Sequence, residues 1–109
     1  MKLEVIVQNA SEAKQAEFLG ADRVELVAAM SEGGLTPSYG TMKTVLSEVK
    51  IPVQVMIRPH SYHYHYSEQE WKVIKQDIQT VIDLGGKGIV IGALSKEDKP
   101  DEQFLDRLF

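Results

Sequence analysis

The stretches FLGADRV (residues 18–24) and DLGGKGI (residues 83–89) are two copies of one kind of junction. In each, a segment of helical period ends at Leu-Gly, a short turn follows, and a β-rich run begins. Glycine suits the position just past a helix because its backbone enters the left-handed conformation there without a side-chain clash. Upstream of the first copy, residues 11–19 carry Ala13, Ala16 and either Phe18 or Leu19 at helical spacing, behind a cap at Asn9 or Ser11. A helix that hands directly over to a strand, twice in one chain, is the pattern of repeated βα units around a parallel sheet.

Four runs, residues 3–7, 23–27, 53–57 and 88–91, are rich in Val and Ile and carry apolar residues on both faces, as strands covered on both sides do. Between the second and third, Thr36-Pro37 fits an N-cap followed by Pro at the first helical position, with Met42, Val45, Leu46 and Val49 as the apolar stripe. Between the third and fourth, Ser67-Glu68-Gln69-Glu70 is a capping box, and Trp71, Ile74, Ile78, Val81 and Ile82 carry the longest amphipathic helix to Gly85-Gly86. Phe104, Leu105 and Leu108 read as the start of a fourth helix. The strand starts have the spacing of a (β/α)8 barrel, which takes about 250 residues. The expected fold is therefore α/β, a single (β/α)4 unit over residues 1–109 and half of a TIM-type barrel. Half a barrel has two open parallel edges, so the expectation is either an incomplete chain or a homo-oligomer that closes the sheet.

Composition narrows the function classes. A net charge of −4 gives no basic face for a nucleic-acid backbone. No apolar run reaches the roughly 18 residues of a membrane span. The first apolar run contains Glu4, where a secretory signal would carry no charge, so a cytoplasmic protein is expected. With zero cysteines there is neither a disulfide framework nor a thiolate, and soft-metal chemistry would fall to His, Met or carboxylates.

Three features could carry chemistry. The first is charge inside apolar strands: Glu4, Arg23 and Glu25, with Arg58 at the C-terminal end of its strand, where βα proteins build their sites. Glu25 is the acid/base candidate, and the alternative is an ion-pair network filling the barrel centre. The second is the loop Glu32-Gly33-Gly34-Leu35-Thr36-Pro37-Ser38, whose paired glycines and following helix start could wrap an anion, or simply make a turn. It is neither a P-loop nor a dinucleotide fingerprint. The third is RPHSYHYHYS (58–67), which holds every histidine of the chain, His60, His63 and His65. Imidazoles suit copper, zinc or nickel, yet this spacing matches no standard zinc motif, and a polar exposed loop explains it equally. Met42, Met56 and Trp71 fall at core positions.

Taken together, Gly20-Ala21-Asp22-Arg23-Val24-Glu25-Leu26, the Gly33-Gly34 loop and Ile57-Arg58-Pro59 resemble the CutC copper homeostasis family in order and spacing, over the N-terminal half of a member. The resemblance implies a cytoplasmic TIM-type barrel linked to copper handling. It implicates Glu4, Arg23, Glu25, Gly33, Gly34, Thr36, Pro37, Ser38 and Arg58 as mouth-lining and loop positions. Two departures stand out. Val7 and Val27 occupy the places of the cysteines through which members proposed to bind copper would do so. Where the family continues Arg-Pro with Arg-Gly-Gly-Asp-Phe-x-Tyr-Ser, this chain has His60 to Ser67, keeping only an aromatic at Tyr64 and the final Tyr66-Ser67. The functional expectation is a copper ion or small ligand held at the C-terminal mouth, with any metal on the His loop. The alternatives are a barrel enzyme acting on a small anionic or carbonyl substrate, and a fragment without function.

Overall fold

The computed structural model describes residues 2–91. The element order is β1 (Glu4–Val7), α1 (Ala10–Phe18), β2 (Arg23–Leu26), a single 3-10 turn (Met30–Glu32), α2 (Tyr39–Glu48), β3 (Val53–Met56), α3 (Glu68–Asp83) and β4 (Gly88–Val90). The four strands form one parallel sheet in the order β1-β2-β3-β4. The fourth helix expected near Phe104 lies outside the described residues.

Side chains alternate across each strand, and the alternation separates two chemistries. One face presents Val5, Val7, Val24, Leu26, Val53, Val55 and Ile57, which merge with Ala13 and Ala16 of α1, Met42 and Val45 of α2, and Trp71, Ile74 and Val81 of α3 into one core. Among the described residues that core holds no buried polar or charged group. All three helices therefore cover the same face, the winding of a barrel rather than of a doubly wound sheet. The other face carries Glu4 and Ile6, Arg23 and Glu25, and Gln54 and Met56. Ile6, Glu25, Gln54 and Gly88 stand side by side across the four strands.

Local chemistry sets the helix ends. Asn9 caps α1, its side chain accepting from the Glu12 amide at 2.8 Å. α2 starts two residues later than Thr36-Pro37 predicts: Ser38 is the cap, accepting from the Thr41 amide. Thr36 is held elsewhere, because its hydroxyl accepts the Arg58 amide at 2.8 Å and its own amide donates to the Arg58 carbonyl at 3.0 Å. Ser67 and Glu70 form the expected capping box of α3. Three apolar residues expected on buried stripes face outward instead, Phe18, Leu19 and Ile82, the last lying one helical step beyond Val81. The Glu17 carboxylate accepts from the amides of Lys50 and Ile51 at 2.6 and 3.0 Å, fastening the turn before β3 to the end of α1. Those two bonds hold its titration below the usual carboxylate range.

The capping box yields the first prediction. Ser67→Ala should cost about 1 kcal/mol in urea unfolding at neutral pH. The Glu70 carboxyl titrates below its ordinary range, chiefly because it accepts the Ser67 amide and also because it meets His60. A depressed folded value stabilises above the ordinary range and is lost as pH falls through the folded value. The stability gap between wild type and Glu70→Gln should accordingly be present at neutral pH and close on acidification. A gap that persists in acid contradicts this assignment.

Candidate functional site

Glu4 and Arg23 open β1 and β2 as register partners, and the Arg23 Nε donates to the Glu4 carboxylate. Glu25, two residues on, projects from the same face, next to Glu4. Burial first, and then the Glu4 carboxyl beside it, push the Glu25 titration above the usual carboxylate range, against the opposing pull of Arg23. A carboxyl with a raised titration, set beside a second carboxyl and one guanidinium, can give or take a proton near an apolar surface of Ile6 and Met56. The structure thus brings Glu4, Arg23 and Glu25 together.

Arg58 stands apart from them. It lies four residues beyond Gln54, the strand partner of Glu25, or about 13 Å further along the strand direction. One guanidinium nitrogen, Nη1, donates to the carbonyls of Glu32 and Gly34 at 3.1 and 3.4 Å, and Nη2 donates to Ser61 at 3.4 Å. The guanidinium carbon sits 4.8 Å from the centre of the Tyr64 ring. Nε is buried with no hydrogen-bond partner among the described residues. Arg58 therefore clasps the loop after β2 to the loop after β3, using most of its donors on main-chain carbonyls.

The glycine loop is shaped by that clasp. Its strands meet at the Ala28–Leu35 bridge, with Ala29 in the left-handed region at φ 48°. Gly33 has φ 87°, and a Cβ there would come within 2.8 Å of the Arg58 guanidinium, so a larger residue would be strained and would displace the guanidinium. Gly34, buried at φ 96°, lies against Val27 and Met56 and closes the loop over the helix-free face. Thr36 pins the loop to β3 and Ser38 caps α2, so all four positions act in building the mouth.

The histidine loop is a stacked aromatic cluster. His60 packs on Tyr62 at 5.2 Å between ring centres and meets His63 and Tyr66 edge-on at 4.8 and 5.6 Å. Its Nε2 pairs with the Glu70 carboxylate while its Nδ1 accepts from the Tyr62 amide at 3.3 Å. In His63, Nδ1 accepts from the His65 amide at 3.1 Å. Both nitrogens of His60 and one of His63 are thus engaged, the Nδ1 atoms within the loop and the His60 Nε2 by Glu70 of α3. Among the described residues no three His, Cys, Asp or Glu side chains are gathered so as to hold a metal ion. Val7 and Val27, at the family's cysteine positions, are both 1% exposed and apolar.

With the site in view, the relatives are informative. The CutC family profile matches residues 1–109. The chain belongs to the CutC family. A family protein CutC from Porphyromonas gingivalis is 43% identical over 108 residues, covering 99% of this chain and 44% of the relative. The human copper homeostasis protein cutC homolog is 44% identical over 101 residues, covering 93% of this chain and 37% of the relative. A CutC crystal structure from Streptococcus agalactiae superposes with a TM-score of 0.89 at 30% identity, covering 100% of this chain and 54% of that one. The α/β architecture of four parallel strands and intervening helices is thus that of about half a CutC barrel, and the chain spans about half the length of the relatives it matches or less.

Sequence reasoning missed two contributors to the site. Gln54 is the lone polar residue of the run VQVM, and its amide lies over Gly88, where a Cβ would stand 2.4 Å from it. A polar residue alternating with valines was the available signal. Gln8 accepts the Met30 amide at 3.1 Å and anchors the start of the glycine loop, a contact that nothing in the local sequence announces.

Replacement of the clasp should loosen both loops. Arg58→Lys keeps the charge but loses the planar fork, and should cost about 1.5–3 kcal/mol in urea unfolding. Faster amide exchange should appear in residues 28–36 and 60–66 alike. Unchanged stability and exchange would show that the carbonyl contacts are incidental.

Proposed function

We propose that this CutC-family chain binds a small polar ligand on the helix-free face of its sheet, against Glu25, beneath the loops that Arg58 clasps together. The observation that carries the reading is the paired Glu4 and Glu25 carboxyls beside Arg23, on a face that a closed barrel turns inward. Charge in a barrel interior is costly unless paired or used, and a raised carboxyl there is suited to hydrogen-bonding a carbonyl or hydroxyl. The setting assigned is cytoplasmic.

Copper enters through the name of the human relative, a copper homeostasis protein. The donors present here do not fit a resident copper ion: the chain has no cysteine, and the His60 nitrogens are engaged by Glu70 and Tyr62. A role in copper homeostasis would therefore run through a small ligand rather than an ion held on the His loop. The enzyme alternative narrows in the same way. Glu25 remains an acid/base candidate for a carbonyl substrate, whereas Arg58 and the glycine loop offer an anion few free donors.

An NMR chemical-shift titration with dihydroxyacetone, phosphate, Zn(II) and Cu(I) tests this reading. Dihydroxyacetone should shift amides around Glu25 and Gln54, and Glu25→Gln should weaken that response at least tenfold. A triple His60/His63/His65→Ala variant should leave it unchanged. Tight metal binding abolished by the triple variant would move the site to the loop, and no response to dihydroxyacetone would refute the proposal.

A further inference from the structure

Gln54 stands on the helix-free face of β3, and its register sets it between Glu25 on β2 and Gly88 on β4. Neighbouring strands run about 4.8 Å apart, so the Glu25 carboxyl and the Gln54 amide rise from one level of the sheet within reach of a single small molecule. Glycine decides where the amide lies. A Cβ at Gly88 would stand 2.4 Å from the Gln54 Oε1 and 2.5 Å from its Nε2, so the amide occupies the space that a side chain on β4 would take. Gly88 is not among the glycines at positive φ, so close approach, and not backbone conformation, accounts for glycine inside this strand. Among the described residues the amide makes no hydrogen bond. Gln54 and Gly88 both line a cavity of about 320 Å³ that is bordered by the turns before β3 and β4.

The chemistry of this level is uncharged and offers donors and acceptors together. An amide presents N–H groups and a carbonyl, and a protonated carboxyl presents an O–H and a carbonyl. Burial and the Glu4 carboxyl both favour that protonated form of Glu25. No cation stands among Ile6, Glu25, Gln54 and Gly88, and Arg23 at the start of β2 is paired with Glu4. An anion would therefore meet two carboxyls and find no free positive charge at this level. Ile6, 48% exposed, adds an apolar contact beside Glu25.

We propose that Gln54 is the specificity-determining residue of this site, and that the ligands it selects are uncharged compounds with a hydroxyl on the carbon next to a carbonyl. Such a ligand offers one oxygen to Glu25 and the other to Gln54. A site that hydrogen-bonds a hydroxyl rejects the analogue lacking it, because its own polar groups are then left unpaired. The inference rests on Glu25 being the ligand contact proposed for this face.

Chemical-shift titrations of the wild type, Gln54→Leu and Gly88→Ala with dihydroxyacetone and with hydroxyl-free acetone test it. The wild type should bind dihydroxyacetone at least tenfold more tightly than acetone. Gln54→Leu should bring dihydroxyacetone down to the level of acetone, which itself changes by no more than twofold. Gly88→Ala keeps every polar group and displaces only the flexible end of Gln54, so it should lose the preference as well. Dispersed amide spectra check that both variants are folded. Equal binding of the two compounds by the wild type, a preference retained in either variant, or an equal weakening of both compounds by Gln54→Leu would overturn this inference and leave Glu25 as the contact. A wild type that responds to neither compound would remove the role of Glu25, and this inference with it.

Discussion

The division of each strand into an apolar face and a polar one is the constraint on which the rest of this molecule depends. On one face, Val7, Val24, Leu26, Val55 and Ile57 are all within 1% of complete burial, and the apolar sides of three helices gather there. Burying such side chains contributes about 1.5–3 kcal/mol each. A one-residue slip of β2 would turn Arg23 and Glu25 into that core and Val24 and Leu26 out of it, so the register is specified by a large energy difference. The same register sets Glu25 level with Ile6 and Gln54 and thereby creates the polar patch.

Separate ends of the strands then do separate work. Where β1 and β2 begin, Arg23 pairs with Glu4, and Glu25 beside them is pushed above the usual carboxylate range. Beyond the end of β3, Arg58 acts as a three-carbonyl staple between loops, stacked on Tyr64. The positive charge that looks ready for an anion is spent on architecture, and the ligand contact proposed above falls to the carboxyl pair. This division explains why the glycine pair is needed: Gly33 clears space for the guanidinium, and Gly34 lets the loop turn down onto Val27 and Met56.

Much of the fold was legible in the sequence because it rests on local signals. The Leu-Gly junctions ended α1 and α3 as read, with Gly20 and Gly85 at positive φ, and the Ser67–Glu70 box started α3. Val- and Ile-rich runs located all four described strands and period-3.6 patterns their helices, but the runs were read as apolar on both faces, whereas Glu4, Arg23, Glu25 and Gln54 make the helix-free face polar. Legibility failed where a side chain's partner lies far along the chain. Thr36 looked like a helix cap, but its hydroxyl is taken by Arg58, 22 residues away. Arg58 was grouped with Glu4 and Glu25 by charge, although strand position separates them. The histidines were read as either metal ligands or a polar exposed loop; main-chain amides capture the Nδ1 atoms of His60 and His63 within the turn. Of the positions expected at the mouth, Arg58 and the glycine loop lie beyond the C-terminal ends of the strands, whereas Glu4 and Arg23 open β1 and β2 at the other end.

The most direct test of the account is a carboxyl carbon-13 titration of Glu25 in the wild type and in Glu4→Gln. Glu25 should titrate above the ordinary carboxylate range and return toward it when the neighbouring carboxyl is removed. Because the folded value is raised, the stability linked to this group is full in acid and is lost as pH rises through that value. Titration at or below the ordinary range, indifferent to Glu4→Gln, would contradict the claim that burial and the Glu4 carboxyl together raise Glu25 on the helix-free face.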